Sequence, residues 1–398
     1  MGMNDQNKKE DVQITLTLLK EKAKEDTDLL TDLGYALEYG TICETDPAAA
    51  AKVYRLAAEA GSARAANNLG WLYEQGRGLK KDMEAAEGCF LLSADCGDPV
   101  AMINLGNLYE FGHLPSGTDY GKALDWYAKA GELGSDKGLN NYAGLLHYGN
   151  GTRQNYPLAF EIFRDLYSRK FSGTAFYMGL YYQNGFAVQQ DYRKALQYYQ
   201  EGAKQGDAYC YTQLGSMYGR GEGVDKDPKK ALAYYRQAAG LGDSLAYVNI
   251  GWMYENGTGV RLDLDEARSW YVRGAAEGEK HAMDALARLE GWDIPQEEPE
   301  TQAAVSEKEQ RPVTARRKAL SEEEKSFLQR AEEELNRDTC TWGQYLLCIR
   351  RYLILSPWHY APEKAEHIIA EDLDFVRASY AKGETVEKAA VEIGYACG

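Results

Sequence analysis

The chain contains the stretch Leu214-Gly-Ser-Met-Tyr-Gly-Arg-Gly-Glu-Gly-Val224, which is followed by Asp227-Pro-Lys-Lys-Ala-Leu-Ala-Tyr-Tyr-Arg-Gln-Ala-Ala239. Its glycines, its aspartate and its aromatic residues recur along the chain with nearly constant spacing. The glycine that follows an apolar residue recurs at intervals of 36, 36, 38, 35, 36 and 36 residues, at Gly34, Gly70, Gly106, Gly144, Gly179, Gly215 and Gly251. Such a period indicates a repeat architecture.

Four more positions recur in step with that glycine. A second glycine follows it five or six residues later, at Gly40, Gly76, Gly112, Gly149, Gly185, Gly221 and Gly257. An aspartate or asparagine comes next, at Asp46, Asp82, Asp119, Asn155, Asp191, Asp227 and Asp263. Four residues further on stands an alanine, at Ala50, Ala86, Ala123, Ala159, Ala195, Ala231 and Ala267. Eight residues after the aspartate or asparagine stands an aromatic residue, at Tyr54, Phe90, Tyr127, Phe163, Tyr199, Tyr235 and Tyr271.

The second copy of the repeat, residues 65–98, predicts two helices. Its first part carries apolar residues three and four apart on one helical face, at Ala66, Leu69, Leu72 and Tyr73. Gly76 is suited to end this helix, and Asp82 is suited to cap the start of a second helix. The second helix carries Ala86, Phe90 and Ala94 at intervals of four. Each repeat is therefore predicted to contain a helix A, a glycine-rich loop, a helix B and a short turn.

Gly70 lies inside the predicted helix A, where glycine costs about 1 kcal/mol relative to alanine. The recurrence of this glycine predicts a close crossing of helix B at its Ala86-type positions. The helix B aromatic residue is expected to fill the groove between neighbouring repeats. A single helix pair cannot bury its apolar face, and stacking solves this problem. The sequence therefore predicts an all-α fold: a right-handed α-solenoid of about seven helix-pair repeats of 36 residues, plus a small C-terminal helical module.

The repeat resembles the Sel-like repeat (SLR), a relative of the tetratricopeptide repeat. The resemblance rests on the stretch quoted above and on its equivalents Leu69-Gly-Trp-Leu-Tyr-Glu-Gln-Gly-Arg-Gly-Leu79 and Ile250-Gly-Trp-Met-Tyr-Glu-Asn-Gly-Thr-Gly-Val260. It covers residues 32–291. The resemblance implies a scaffold or adaptor that binds other proteins, often in bacterial signalling or host contact, and it implies no catalysis.

Two repeats depart from the pattern. The third has His113-Leu-Pro-Ser-Gly-Thr118 in its loop, and the fourth has His147 where five others have tyrosine and Phe171 where a closing glycine belongs. These departures predict a kink or a changed angle between repeats near residues 140–175.

The chain is expected to divide into four parts. Residues 1–31 form an N-terminal capping helix, and residues 32–291 form the solenoid. Residues 292–318, rich in Glu, Gln and Pro, form a flexible linker. Residues 319–398 form a small helical domain of unknown type, in which one helix begins at Pro362 and reaches Lys382.

Composition narrows the class of partner. The 398 residues include 45 Lys+Arg and 61 Asp+Glu, so the formal net charge is −16. This acidic balance argues against nucleic acid or an anionic membrane as the main partner.

No apolar run is long enough to span a bilayer, and no apolar leader follows Met1, so a cytoplasmic protein is expected. The seven cysteines include no C-x-x-C pair, and no metal or cofactor is predicted.

A polar and aromatic set on helix A is the candidate binding surface. It lies two residues before, one after and five after the helix A glycine. Asparagine can donate to and accept from a peptide backbone, and large aromatic residues supply contact area. In tetratricopeptide relatives the concave face holds peptides, so the resemblance places a protein or peptide partner here. The predicted protein-binding residues are Asn68, Trp71, Asn104, Asn107, Tyr142, Tyr177, Gln213, Arg220, Asn249 and Trp252. The alternative is that Trp71 and Trp252 pack between repeats.

Residues 319–398 leave two other functions open. The first is an enzyme whose target the repeats recruit, although Ser379-Tyr-Ala-Lys382 lacks the companion motifs of a penicilloyl-serine site and His359, Glu363 and His367 are expected on a solvated surface. The second is a transcription-linked regulator, because residues 383–395 resemble the first half of a helix-turn-helix. The 9 basic and 15 acidic side chains of residues 319–398, net −6, oppose DNA binding, and a protein-docking module is preferred.

Overall fold

The computed structural model describes residues 26–41, 44–291, 341, 344, 346–347, 362–371, 373–381 and 389. The predicted capping helix up to residue 25 and the predicted linker 292–318 lie outside these residues. The seven repeats place their A helices at α1 (Thr27–Tyr39), α3 (Ala63–Gln75), α5 (Pro99–Glu110), α7 (Asp136–Tyr148), α9 (Thr174–Asn184), α11 (Ala208–Arg220) and α13 (Ser244–Glu255). Their B helices are α2 (Pro47–Glu59), α4 (Met83–Asp95), α6 (Tyr120–Glu132), α8 (Tyr156–Ser168), α10 (Tyr192–Lys204), α12 (Pro228–Gly240) and α14 (Leu264–Ala276).

Three further helices have described bounds. A single helix, α15 (Lys280–Glu290), follows the seventh repeat, as the sequence predicts. The C-terminal helices are α16 (Pro362–Glu371) and α17 (Leu373–Ala381), which cover most of the helix predicted from Pro362. The all-helical α-solenoid of about seven helix pairs is confirmed. None of the described helices is both long and apolar enough to cross a lipid bilayer.

Polar side chains cap the starts of helices, and glycines end helices, at the positions that the sequence predicts. The Asp82 carboxylate accepts a hydrogen bond from the Ala85 amide at 2.9 Å, and it caps α4. The Asp98 carboxylate does the same for α5 through the Val100 amide. Gly76 adopts a left-handed φ of 67° at the end of α3, a conformation that favours glycine. A polar residue before most of the helices and a glycine after helix A therefore set the repeat length locally.

The helix A glycine holds the aromatic ring of helix B. A Cβ built on Gly70 would stand 2.6 Å from Phe90 Cε1, and the equivalent glycines of five other repeats meet their helix B tyrosines as closely. The aromatic residue was predicted to fill the groove between neighbouring repeats, and Tyr235 of the sixth repeat shares a buried cluster with Ala246 and Ile250 of the next repeat. The ring also lies against helix A of its own repeat. The glycine has no side chain, so it leaves a socket on helix A that the aromatic ring occupies.

A further loop glycine, Gly223 in the sixth repeat and Gly259 in the seventh, packs against the preceding repeat. A Cβ on Gly223 would stand 2.7 Å from the Cβ of Tyr192, at the start of helix B of the preceding repeat. Gly259 meets Pro228 in the same way, at 2.8 Å. The third repeat lacks this glycine and buries Leu114 of its altered loop instead. Close backbone approach at this glycine therefore brings neighbouring repeats into contact.

The chain divides into two compact units. The first contains the described residues up to Asn155 together with the described residues from Thr341 onward. The second contains Tyr156 to Gly291. The division falls within residues 140–175, where the sequence departs from the repeat pattern. In the first unit, a Cβ on Gly144 would meet no described atom within 4 Å. In the second, the Phe163 ring stacks on Tyr177 with centroids 3.9 Å apart.

Candidate protein-binding surface

The ten predicted residues all lie on A helices, and we call them the helix-A stripe. Their exposure differs from one repeat to the next. The half-buried members are Asn68, Trp71, Asn104, Asn107, Tyr177, Gln213 and Asn249. Arg220 and Trp252 are exposed, and Tyr142 is fully buried. Position in the repeat therefore predicts the helix but not the accessibility of each side chain.

In the first two repeats, stripe residues border a buried hydrogen-bond network. The Tyr54 hydroxyl donates to Glu38 Oε2 at 3.0 Å, and the Asn68 amide also bonds this hydroxyl. Burial, with the neighbouring Glu38 carboxylate, raises the pKa of Tyr54 far above 10, so the hydroxyl stays a donor. Arg77 Nη1 pairs with Glu38 Oε1 at 3.2 Å. The network commits part of the Asn68 side chain to the fold.

The same arginine joins an aromatic cluster. The Arg77 guanidinium lies 5.4 Å from the Tyr39 ring centroid and 5.8 Å from that of Trp71. Tyr35 packs on Tyr39 with centroids 4.5 Å apart, and 52% of Tyr35 is exposed. Tyr35 and Tyr39 stand one and five residues after Gly34, so the spacing that identified Trp71 also selects them. Neither tyrosine was predicted, because the predicted stripe begins at the second repeat.

The third repeat uses its two stripe asparagines within the structure. Asn104 Nδ2 donates to Asn67 Oδ1 of the preceding A helix at 2.9 Å. Asn107 Oδ1 accepts from the Tyr127 hydroxyl at 2.7 Å. A side-chain amide has two donor hydrogens and two acceptor lone pairs. Each asparagine can therefore keep these bonds and still contact a partner.

Tyr142 is buried by a segment from the far end of the chain. Its hydroxyl donates to Glu366 Oε1 of α16 at 2.9 Å, and Glu366 is only 1% exposed. Thr152 Oγ1 donates to the second oxygen, Oε2, at 3.0 Å. A stripe residue predicted to hold a helix from a partner therefore holds a helix of its own chain.

In the second unit the stripe opens toward its C-terminal end. Tyr177 stacks on Phe163, which is a packing role. The side chain of Arg220 is 70% exposed, with Nη1 3.6 Å from Glu222 Oε1. Trp252 is 51% exposed, so the alternative in which this indole packs between repeats does not describe it. Asn249 and Asn256 lie on the same side of the helix, three residues before Trp252 and four after it.

The described part of the C-terminal segment contains no metal cluster. No group of three or more His, Cys, Asp or Glu side chains among the described residues is arranged to hold an ion. His367 is exposed, and His359 lies outside the described residues. Ser379 is buried at 1% exposure, while Lys382 is outside the described residues.

A family comparison matches the repeats. The Sel1 repeat model matches residues 28–62, 63–98, 99–135, 137–164, 174–207, 208–243 and 244–279. The matches omit residues 165–173, at the turn that carries Phe171. The curated proteins gave no match.

Two solved structures share the architecture. A Sel1 repeat protein from Oxalobacter formigenes is 27% identical, with a TM-score of 0.56 over 62% of this chain and 96% of that one. A protective antigen from uropathogenic Escherichia coli, with an SLR fold, is 22% identical, with a TM-score of 0.52 over 93% of this chain and 76% of that one. The second likeness concerns the fold alone.

Proposed function

Because the chain belongs to the Sel1 repeat family, we propose that it is a non-catalytic scaffold that binds a protein or peptide partner along the helix-A stripe. The proposal is supported most directly by the exposure of Trp252. An indole that is 51% exposed leaves a large apolar surface in water, which a partner can cover. Tryptophan is also one of the three residue types enriched among binding hot spots.

Polar groups beside Trp252 can orient a backbone. Asn249 is half-buried one helical turn before the indole, and Asn256 is exposed one turn after it. Asn256 Nδ2 donates to the Trp252 carbonyl at 2.9 Å, which holds this asparagine against the end of α13. An aromatic anchor flanked by ordered amides suits an extended peptide or a helix.

The aromatic cluster of Tyr35, Tyr39 and Trp71 with Arg77 is a second contact region of the same proposal, in the first unit. Arginine over aromatic rings is common at protein interfaces. The net charge of −16 disfavours nucleic acid as the ligand, so a protein is the preferred partner.

The test is partner recovery with matched surface variants of the full chain. Wild-type protein, Trp252→Ala and Val272→Ala are used as baits, and bound proteins are quantified by mass spectrometry. Val272 is 48% exposed on helix B of the same repeat, so its truncation changes exposed apolar area away from the stripe. A partner of the stripe is recovered by wild type and Val272→Ala, and the purified partner binds Trp252→Ala at least tenfold more weakly. Equal binding to both variants would contradict the proposal.

A further inference from the structure

The Glu366 carboxylate is held by the fourth repeat through both of its oxygens. Oε1 accepts from the Tyr142 hydroxyl at 2.9 Å and Oε2 accepts from the Thr152 hydroxyl at 3.0 Å. Tyr142 and Glu366 are both buried. A buried carboxylate is costly unless donors satisfy it. The two hydroxyls therefore form a site that recognises a carboxylate.

Asn155 adds a contact to the backbone of the same helix turn. Its Nδ2 donates to the Glu366 carbonyl at 3.4 Å. The other six repeats have aspartate at this position, and in the third repeat Asp119 accepts from the Lys122 amide to cap helix B. A carboxylate cannot donate to a carbonyl, whereas an amide can. The asparagine that distinguishes the fourth repeat thus suits it to hold α16.

Apolar contacts accompany the polar ones. Ala365, Ile368 and Ile369 of α16 are buried, with the spacing of one helical face. Leu347, which precedes α16 in the chain, is 1% exposed. A Cβ on Gly131 of α6 would stand 2.6 Å from Leu347 Cδ1. The C-terminal segment therefore contacts both the third and the fourth repeats.

We propose that the third and fourth repeats form a receptor site for an amphipathic helix that carries a glutamate, and that the chain's own C-terminal segment (Leu347, α16 and α17) is its resident ligand. The inference rests on the proposed function, because Tyr142 belongs to the helix-A stripe. A covalent connection makes the docking of such a ligand intramolecular, with an effective concentration that the intervening chain sets. An external helix of the same chemistry binds here only when the resident segment is released, and its apparent affinity falls accordingly.

The first test measures release by amide hydrogen exchange of the full chain. The repeat-side variant is Tyr142→Phe with Thr152→Val, which removes both hydroxyls at nearly constant volume. The matched control is Tyr177→Phe, at the same position of the next repeat. We expect residues 362–381 to exchange at least tenfold faster in the double variant and at the wild-type rate in the control. Unchanged protection in the double variant would overturn the proposal.

A ligand-side variant covers the case in which the double variant perturbs the repeats. Glu366→Ala leaves every repeat residue in place, and we expect the same acceleration over residues 362–381. Protection that rises with protein concentration would show that the segment docks on a second copy, and this would overturn the intramolecular assignment.

The second test adds the ligand from outside. A fluorescent synthetic peptide of residues 359–383 is titrated into wild-type protein and into the full-length variant Glu366→Ala with Leu347→Asp. We expect at least tenfold tighter binding to the variant, and at least tenfold weaker binding of a Glu366→Gln peptide. Equal binding of the two peptides would overturn recognition of the carboxylate. Neither test needs the partner protein of the Trp252 experiment, so either test can fail while that experiment succeeds.

Discussion

The ring of Phe90 occupies the space that a side chain on Gly70 would need, since a Cβ there would stand 2.6 Å from Phe90 Cε1. Phe90 is fully buried, so the ring cannot move into solvent. This relation between a helix A glycine and a helix B aromatic residue defines the core of a repeat. It also makes the effect of one methyl group predictable.

We expect Gly70→Ala to lower the free energy of unfolding by about 1–3 kcal/mol, because the methyl group overpacks a filled socket. The measurement is urea denaturation followed by circular dichroism. A stability equal to that of the wild type would show that the ring has room to shift.

Gly144→Ala is the matched substitution with the opposite expected sign. A Cβ on Gly144 meets no described atom within 4 Å, so only helix propensity should act. We expect stabilisation by about 0.5–1 kcal/mol in the same assay. Destabilisation similar to that of Gly70→Ala would mean that an aromatic ring fills this socket too.

The pair of Glu255 and Arg288 should make stability depend on pH. Arg288 Nη1 and Nη2 donate to the two carboxylate oxygens at 2.7 and 3.0 Å. Burial raises the pKa of Glu255, but hydrogen bonds from Arg288 and Tyr271 outweigh it and hold this pKa below 4.5. A depressed carboxyl pKa stabilises the fold above pH 4.5, and this contribution is lost as pH falls through the folded-state pKa.

Arg288→Met should therefore lower the free energy of unfolding by about 1 kcal/mol at pH 7, a modest loss because Arg288 is partly exposed. The loss should be smaller at pH 3, where less of Glu255 is ionised. Unfolding free energies at the two pH values measure the difference. Arg273→Met serves as the control, because Arg273 lies over the Trp270 ring, 4.4 Å from its centroid. An effect of Arg288→Met that is identical at both pH values would contradict this account.

Thr212 stabilises a buried carboxylate across two repeats. Its hydroxyl donates to Asp243 Oδ2, and both residues are buried. Burial raises the pKa of Asp243, whereas the hydrogen bonds from Thr212 and the Leu245 amide lower it. Removal of the hydroxyl should raise this pKa further. The free energy of unfolding then falls as pH rises through the raised pKa, because Asp243 becomes ionised in the fold.

We expect Thr212→Val to cost about 1–3 kcal/mol of stability at pH 7 and less at pH 3.5. Thr212→Ser keeps the hydroxyl and should remain within about 0.5 kcal/mol of the wild type. Thermal unfolding at both pH values compares the variants. Equal losses for valine and serine would assign the effect to the methyl group instead.

Cysteine alkylation should follow burial. Cys96 is exposed, whereas Cys210 is buried and its pKa is raised, first by burial and then by Asp207. The thiolate is the reactive form, so we expect iodoacetamide at pH 8 to modify Cys96 at least about a hundredfold faster than Cys210. Peptide mass spectrometry gives both rates. Similar rates in native buffer would indicate that α11 opens readily.

The sequence by itself determined the repeat. The spacing of glycine, aspartate, alanine and aromatic residue predicts the helix pairs, because caps and helix faces depend on residues within one or two turns of each other. It also predicted which helix carries the stripe, since the asparagines and tryptophans keep the same phase from one A helix to the next. Tyr35 and Tyr39 were within reach of the same reasoning.

Only the tertiary structure decided where side chains meet across long separations. The Phe90 ring faces Gly70 of its own repeat because side-chain volume, which spacing does not encode, matches the empty position. Tyr142 is buried because Glu366, 224 residues later, brings a carboxylate that the fourth repeat can satisfy. Trp252 stays half exposed because no described side chain covers it. Accessibility is a property of neighbours, and distant neighbours are set by the packing of the whole chain.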